Sequence, residues 1–249
     1  MEDKQTVKKN ESLKIKSKKS WNPTDNRFVC FLDIMGFKDM VMRNSHEEIY
    51  SMLNSLSKHR SYIESTEDLP AEYIDALKTV SFSDSIVIFT KDDSISSFEI
   101  LTYATSWLFA KGMEDGIPMK GAISCGEMSI NISRQIFFGQ PLIDAYLLEE
   151  DVAFYGVAVH NTVEKFINDN SNNIDKNVID RYIDCLTPLK SGKINHLILD
   201  WIIDLDDDKK SPFKEIALSI MKKQREKTSG SPRKYIDNTI EVIEKTCKQ

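Results

Sequence analysis

Two aspartates carry the chemistry this chain can offer. Residues 28–37 (Phe-Val-Cys-Phe-Leu-Asp-Ile-Met-Gly-Phe) and 80–89 (Val-Ser-Phe-Ser-Asp-Ser-Ile-Val-Ile-Phe) are apolar runs rich in β-branched and aromatic side chains. That is the pattern of buried strands. Asp33 interrupts the first run and Asp84 the second, and a carboxylate at the end of a core strand is costly unless something pairs with it. Either one alone also reads as a helix cap or a turn former. On two strands of one sheet, however, they would lie side by side, and like charges so close call for a cation between them. Oxygen ligands on short side chains favour magnesium or manganese, shared with the phosphates of a substrate.

The elements needed to position such a pair are legible around it. Gly36 allows a sharp turn after the first strand. From Phe37 to about residue 66 the spacing of Met40, Val41, Ile49, Met52, Leu53 and Leu56 predicts helix, with a break and a new N-cap at Asn44-Ser45. Backbone N–H groups at the start of that helix would face phosphate oxygens, and Gly36 has no Cβ to obstruct them. Gly36 and Phe37 are therefore candidate substrate-binding residues, core packing being the other reading of Phe37. Asp68-Leu69-Pro70 breaks the chain, a strand runs from Ala76, and Ser83-Asp84-Ser85 forms a hairpin tip. A second helix is expected from Asp92 to about Lys111, stopped by Gly112 and Gly116-Ile117-Pro118. A strand follows over 119–124 with Lys120 inside it. Cys125-Gly126-Glu127 reads as turn-like, and strands near 128–132 and 135–138 flank Arg134.

In this order the motifs resemble the catalytic domain of class III nucleotidyl cyclases, over about residues 27–158. Asp33-Ile34-Met35-Gly36-Phe37 is similar to the family's first metal motif, and Ser83-Asp84-Ser85 falls where its second metal aspartate sits. The stretch from Pro118 to Glu127 resembles the following strand, and the stretch from Phe138 to Glu149 its glycine-led helix. More narrowly, Lys-Gly-Ala-Ile-Ser-x-Gly-Glu from Lys120 and Gly-x-x-Leu-x-Asp-Ala-Tyr-x-Leu-Glu from Gly139 resemble the small bacterial pyrimidine cyclases of Pycsar antiphage systems.

The resemblance implies an α+β fold: an antiparallel palm-type (ferredoxin-like) sheet with helices on one face; beyond its reach the residues read as a C-terminal mixed or helical extension. It implies a homodimer with active sites at the interface, and two divalent ions (Mn2+ or Mg2+) held by Asp33, Asp84 and the Ile34 carbonyl. The substrate would be UTP or CTP. The product would be its 3′,5′-cyclic monophosphate, a second messenger for a separate effector. Departures accompany the likeness. Val80 and Ile136 stand where purine cyclases carry an adenine-reading lysine and its acidic partner. Ile143 and Leu147 stand where many members carry an asparagine and an arginine that stabilise the transition state. Lys120 and Arg134 are the nearest catalytic cations by position; Lys120 is also a candidate substrate-binding residue that could reach toward the phosphates or a dimer partner, and otherwise reads as an edge-strand lysine. A catalytically silent cyclase-like module fits the missing residues, and a purine cyclase remains a further alternative. A diguanylate cyclase should carry a Gly-Gly-Asp/Glu-Glu-Phe hairpin, which Phe82-Ser83-Asp84-Ser85 is not.

The bounds agree with this. The chain has 249 residues and a formal charge of −6, enough for one sizeable domain with an appendage and not the basic balance of a nucleic-acid binder. No apolar run approaches a membrane span and no signal peptide is visible, so a cytoplasmic protein is expected. The four cysteines and four histidines show no metal-ligand spacing. Residues 1–24 are lysine-rich and predict a flexible arm, 25–158 the catalytic core, and 159–249 an extension packing on the core or the dimer.

Overall fold

A computed structural model describes residues 21–65, 73–206 and 212–246. The lysine-rich segment up to residue 20 and the break at Asp68-Leu69-Pro70 lie outside the described residues. The first long apolar run becomes β1 (Thr24–Ile34), and the second becomes the hairpin of β2 (Leu77–Phe82) and β3 (Ser85–Thr90). Between them lie α1 (Phe37–Arg43) and α2 (His46–Glu64). The break between these helices falls at Asn44-Ser45, because Ser45 and Glu48 form a capping box: the Ser45 side chain accepts the Glu48 N–H, and the Glu48 carboxylate accepts the Ser45 N–H at 2.7 Å. Next come α3 (Ile95–Glu114), β4 (Met119–Asn131), β5 (Ile136–Gly139), α4 (Gln140–Asp151) and β6 (Val157–Val159). The rest comprises α5 (Asn161–Asn170), α6 (Lys176–Ile179), β7 (Tyr182–Leu189), β8 (Gly192–Leu199), α7 (Phe213–Lys227) and α8 (Arg233–Thr246).

The strands form one open sheet in the order β2-β3-β1-β4-β6-β8-β7, with β5 hairpinned onto β4. The fold is α+β. All its neighbouring pairs are antiparallel except β4 with β6, which is parallel. β1 is central, pairing with β3 on one side and along its whole length with β4 on the other. Side chains alternate across a strand, and one face of β1, with Phe28, Cys30, Leu32 and Ile34, builds the main core with Leu56 of α2 and Phe98, Leu101, Leu108 and Phe109 of α3. α4 lies on the other face, over Phe31, whose ring meets Tyr146 edge-on at 5.5 Å. Beyond residue 158, β8 continues the sheet from β6. Val163, Leu199, Ala217, Met221 and Ile236 join the main core.

Two local expectations are corrected. Cys125-Gly126-Glu127 is no turn: it continues β4, paired residue by residue with Phe28, Arg27 and Asn26. Pairing along a central strand overrides the local turn preference of one glycine. Gly112 does not end α3 but lies inside it, where a Cβ would collide with the Met119 side chain. The absent side chain allows close helix–sheet packing there.

Candidate active site

The end of β1 gathers the chemistry. Asp33 pairs across β1/β3 with Ser85 and across β1/β4 with Lys120, so all three side chains emerge on the face that carries α4. The chain beyond Asp33 is pinned by main-chain bonds: Ile34 N–H donates to the Asp84 carbonyl at 3.0 Å, and Met35 N–H donates to the Pro118 carbonyl at 2.8 Å. The first bond ties the hairpin tip to β1 and brings the second aspartate beside the first. Ser83 takes the left-handed φ of 57° that this tight turn requires. Gly36 heads α1 with φ 71° and open space around its α-carbon, so its left-handed backbone suits glycine. Phe37 packs against the edge of the main core, which matches its core-packing reading.

The electrostatics follow from burial and charge. The Asp33 carboxyl is pushed from 3.8 to about 6, first by burial, then by the negative charges of Glu149 and Asp84; Lys120 and a 3.4 Å hydrogen bond from Ser85 Oγ oppose the rise. Lys120 is only 4% exposed and Glu149 2%. The Lys120 ammonium donates to the Glu149 carbonyl at 2.8 Å and lies 3.4 Å from the Glu150 carbonyl. It is also 2.9 Å from Glu149 Oε1, a contact that is electrostatic rather than directed, since Oε1 has no hydrogen-bond partner among the described residues. Burial pushes the Glu149 carboxyl up and Lys120 pulls it back.

The structure thus brings Asp33, Ile34, Asp84 and Lys120 together, with Gly36 and Phe37 just beyond them. Arg134 is not part of this group within one chain. It is exposed in the β4–β5 connection, past the end of a strand whose residues from Lys120 to Asn131 span roughly 35 Å. Ile143 and Leu147 are exposed on α4 and supply no polar group. Val80 packs into the small apolar cluster of Val29 and Phe89. Among the described residues no group of three or more His, Cys, Asp or Glu stands close enough to hold a metal by itself. A cation at Asp33 and Asp84 would therefore need oxygens from the backbone, water or substrate as well.

Glu149 is the residue that sequence reasoning missed. The signal was available: Pro141, Ala145 and Glu149 recur every fourth residue and form the buried stripe of α4. A carboxylate on such a stripe needs a partner.

No family model and no curated protein matches the chain. Solved structures do. The catalytic core of a rhodopsin-guanylyl cyclase with converted specificity, in complex with ATPalphaS, is 12% identical with a TM-score of 0.49 over 72% of this chain and 98% of that one. A bacterial light-regulated adenylyl cyclase is 11% identical with a TM-score of 0.49, over 72% of this chain and 92% of that one. The adenylyl cyclase CyaB from P. aeruginosa is 15% identical with a TM-score of 0.46, over 76% of this chain and 97% of that one. At these values none of them bears on substrate or mechanism.

Proposed function

We propose that the chain is a nucleotide cyclase that converts UTP or CTP to its 3′,5′-cyclic monophosphate and pyrophosphate. The observation that carries the reading is the convergence of Asp33, at the end of β1, and Asp84, at the tip of the β2–β3 hairpin, from two separate sequence motifs. The Asp33 carboxyl, raised first by burial and then by the charges of Glu149 and Asp84, fits a site where divalent cations offset the carboxylate charge. Asp33, Asp84 and the Ile34 carbonyl would hold Mn2+ or Mg2+. Such ions, when bound, acidify the ribose 3′-hydroxyl and neutralise the leaving pyrophosphate. Gly36 leaves its backbone open to triphosphate oxygens, and Phe37 anchors that turn on the core. Lys120 adds positive charge behind Asp33.

The missing transition-state pair leaves a gap worth about 3–4 kcal/mol in typical enzymes. Arg134 fills it in this reading only from a second copy of the chain. A homodimer is supported by α4, whose Ile143, Tyr146 and Leu147 form an exposed apolar stripe of the kind that marks an interface. Val80 cannot make the hydrogen bond by which the lysine of purine cyclases reads adenine, which argues against an adenylate cyclase and leaves a pyrimidine open. Among the described residues no helix is long and apolar enough to cross a membrane. The reading places the enzyme in the cytoplasm, with no nucleic-acid partner, signalling phage infection to a separate effector activated by the cyclic nucleotide.

A second reading, a catalytically silent nucleotide-binding or dimerisation module, is favoured by one observation: the Lys120 ammonium is bound to the end of α4. Incubation with ATP, GTP, CTP and UTP separately in manganese, with products identified by mass spectrometry, decides between them. Cyclic UMP or cyclic CMP is expected, lost in Asp33→Ala and Asp84→Ala. A cyclic purine product would move the substrate assignment. No cyclic product from any nucleotide in manganese or magnesium would leave the silent module.

A further inference from the structure

The two signature stretches end on opposite charges, Lys120 at the head of one and Glu149 at the tail of the other, and the fold joins them. Lys120 sits directly across from Asp33 in the β1/β4 register. Cross-strand neighbours have Cβ atoms about 5 Å apart, so its long side chain has the reach to cover the Asp33 carboxylate. It turns instead toward the last turn of α4, where the Glu149 carbonyl also accepts the Val152 N–H at 3.0 Å. There it meets the Glu149 and Glu150 carbonyls at 2.8 and 3.4 Å and the Glu149 carboxylate at 2.9 Å.

We infer that Glu149 is a positioning residue for the divalent-cation site, holding the Lys120 ammonium against α4 so that Asp33 and Asp84 stay available to the cation. The inference rests on the cyclase reading of those two aspartates. With Glu149 in place, its carboxylate meets the ammonium, and the charges of Asp33 and Asp84 are left to attract a cation. Without its charge, only the Glu149 and Glu150 carbonyls hold the Lys120 ammonium, and it can turn on Asp33 and repel the incoming ion. Glu149 touches neither substrate nor metal in this scheme; it acts through Lys120.

The test is Mn2+ binding to the purified full-length chain, followed by the electron paramagnetic resonance of free Mn2+, with circular dichroism as the check on folding. Wild type should bind saturably and Asp33→Ala should not. Glu149→Gln, which keeps the shape and removes the charge, should bind about tenfold more weakly. The double variant Lys120→Met/Glu149→Gln should return to within about threefold of wild type, a rescue that loss of a merely structural contact does not give. If Glu149→Gln fails to fold, Lys120→Gln carries the test, with binding at least as tight as wild type; weaker binding would mean that Lys120 supports the cation instead of being held off it, and would overturn the inference. Unchanged binding in Glu149→Gln, or no rescue in the double variant, overturns the inference while leaving the two-aspartate site standing, provided Asp33→Ala abolishes binding. No saturable binding by wild type overturns both.

Discussion

At the scale of the residue, Asp33 is the most consequential side chain. Its carboxyl rises from 3.8 to about 6 because burial and the charges of Glu149 and Asp84 outweigh Lys120 and Ser85. The folded chain therefore keeps a proton that the unfolded chain releases between about pH 4 and pH 6, so stability falls as pH rises through that window and the penalty is complete above it. A rise of this size is worth about 3 kcal/mol for an enclosed group; solvent screening of this half-buried carboxylate brings it to about 1 kcal/mol. Asp33→Asn should thus be about 1 kcal/mol more stable than wild type at pH 8 and equal to it at pH 4, in urea unfolding with chelator present. Equal stability at both pH values would mean that the carboxylate is not strained in the fold. The aspartates could be picked out in sequence because a charge inside a β-branched run is conspicuous. Glu149 carried a signal, its place on the buried stripe of α4, but which residue pairs with it is decided only by the fold, which brings up Lys120.

At the scale of the element, the site depends on how closely β1 and β4 approach. A Cβ at Gly121 would come within 2.6 Å of the Phe31 carbonyl and 2.5 Å of Leu32 Cδ2. The carbonyl belongs to a strand bonded on both sides and cannot retreat. Gly121→Ala should therefore cost about 2–3 kcal/mol, read as a lowered Tm, and should disturb the Asp33–Lys120 pairing next to it. A Tm within a degree of wild type would show that the strands can part. Local signals located most elements: the Asn44-Ser45 break is a short-range capping box, and the tip at Asp84 is turn chemistry between two strand-formers. They failed at Gly112 and at Cys125-Gly126-Glu127, where packing and strand pairing outweigh intrinsic preference.

At the scale of the whole molecule, α4 covers one sheet face while leaving its own outer stripe bare. Leu147 is 58% exposed and Ile143 52%, where a soluble surface would carry charge. Leu147→Asp should shift the chain from dimer to monomer in light scattering, keep the wild-type circular dichroism spectrum because the residue is exposed on α4, and abolish cyclic nucleotide formation if the site spans two copies. A monomeric wild type would sink the dimer reading.

The sequence alone determined the strand that carries Asp33, the hairpin with Asp84 at its tip and the helices between them, because hydrophobic period and turn chemistry are encoded within a few residues; the α+β class came with the family resemblance. Only the tertiary structure decided that Lys120 is bound to Glu149, that Arg134 lies at the far end of β4, and that β7 and β8 extend the sheet of β1. These depend on register and on contacts between residues distant in the chain, which no local pattern specifies.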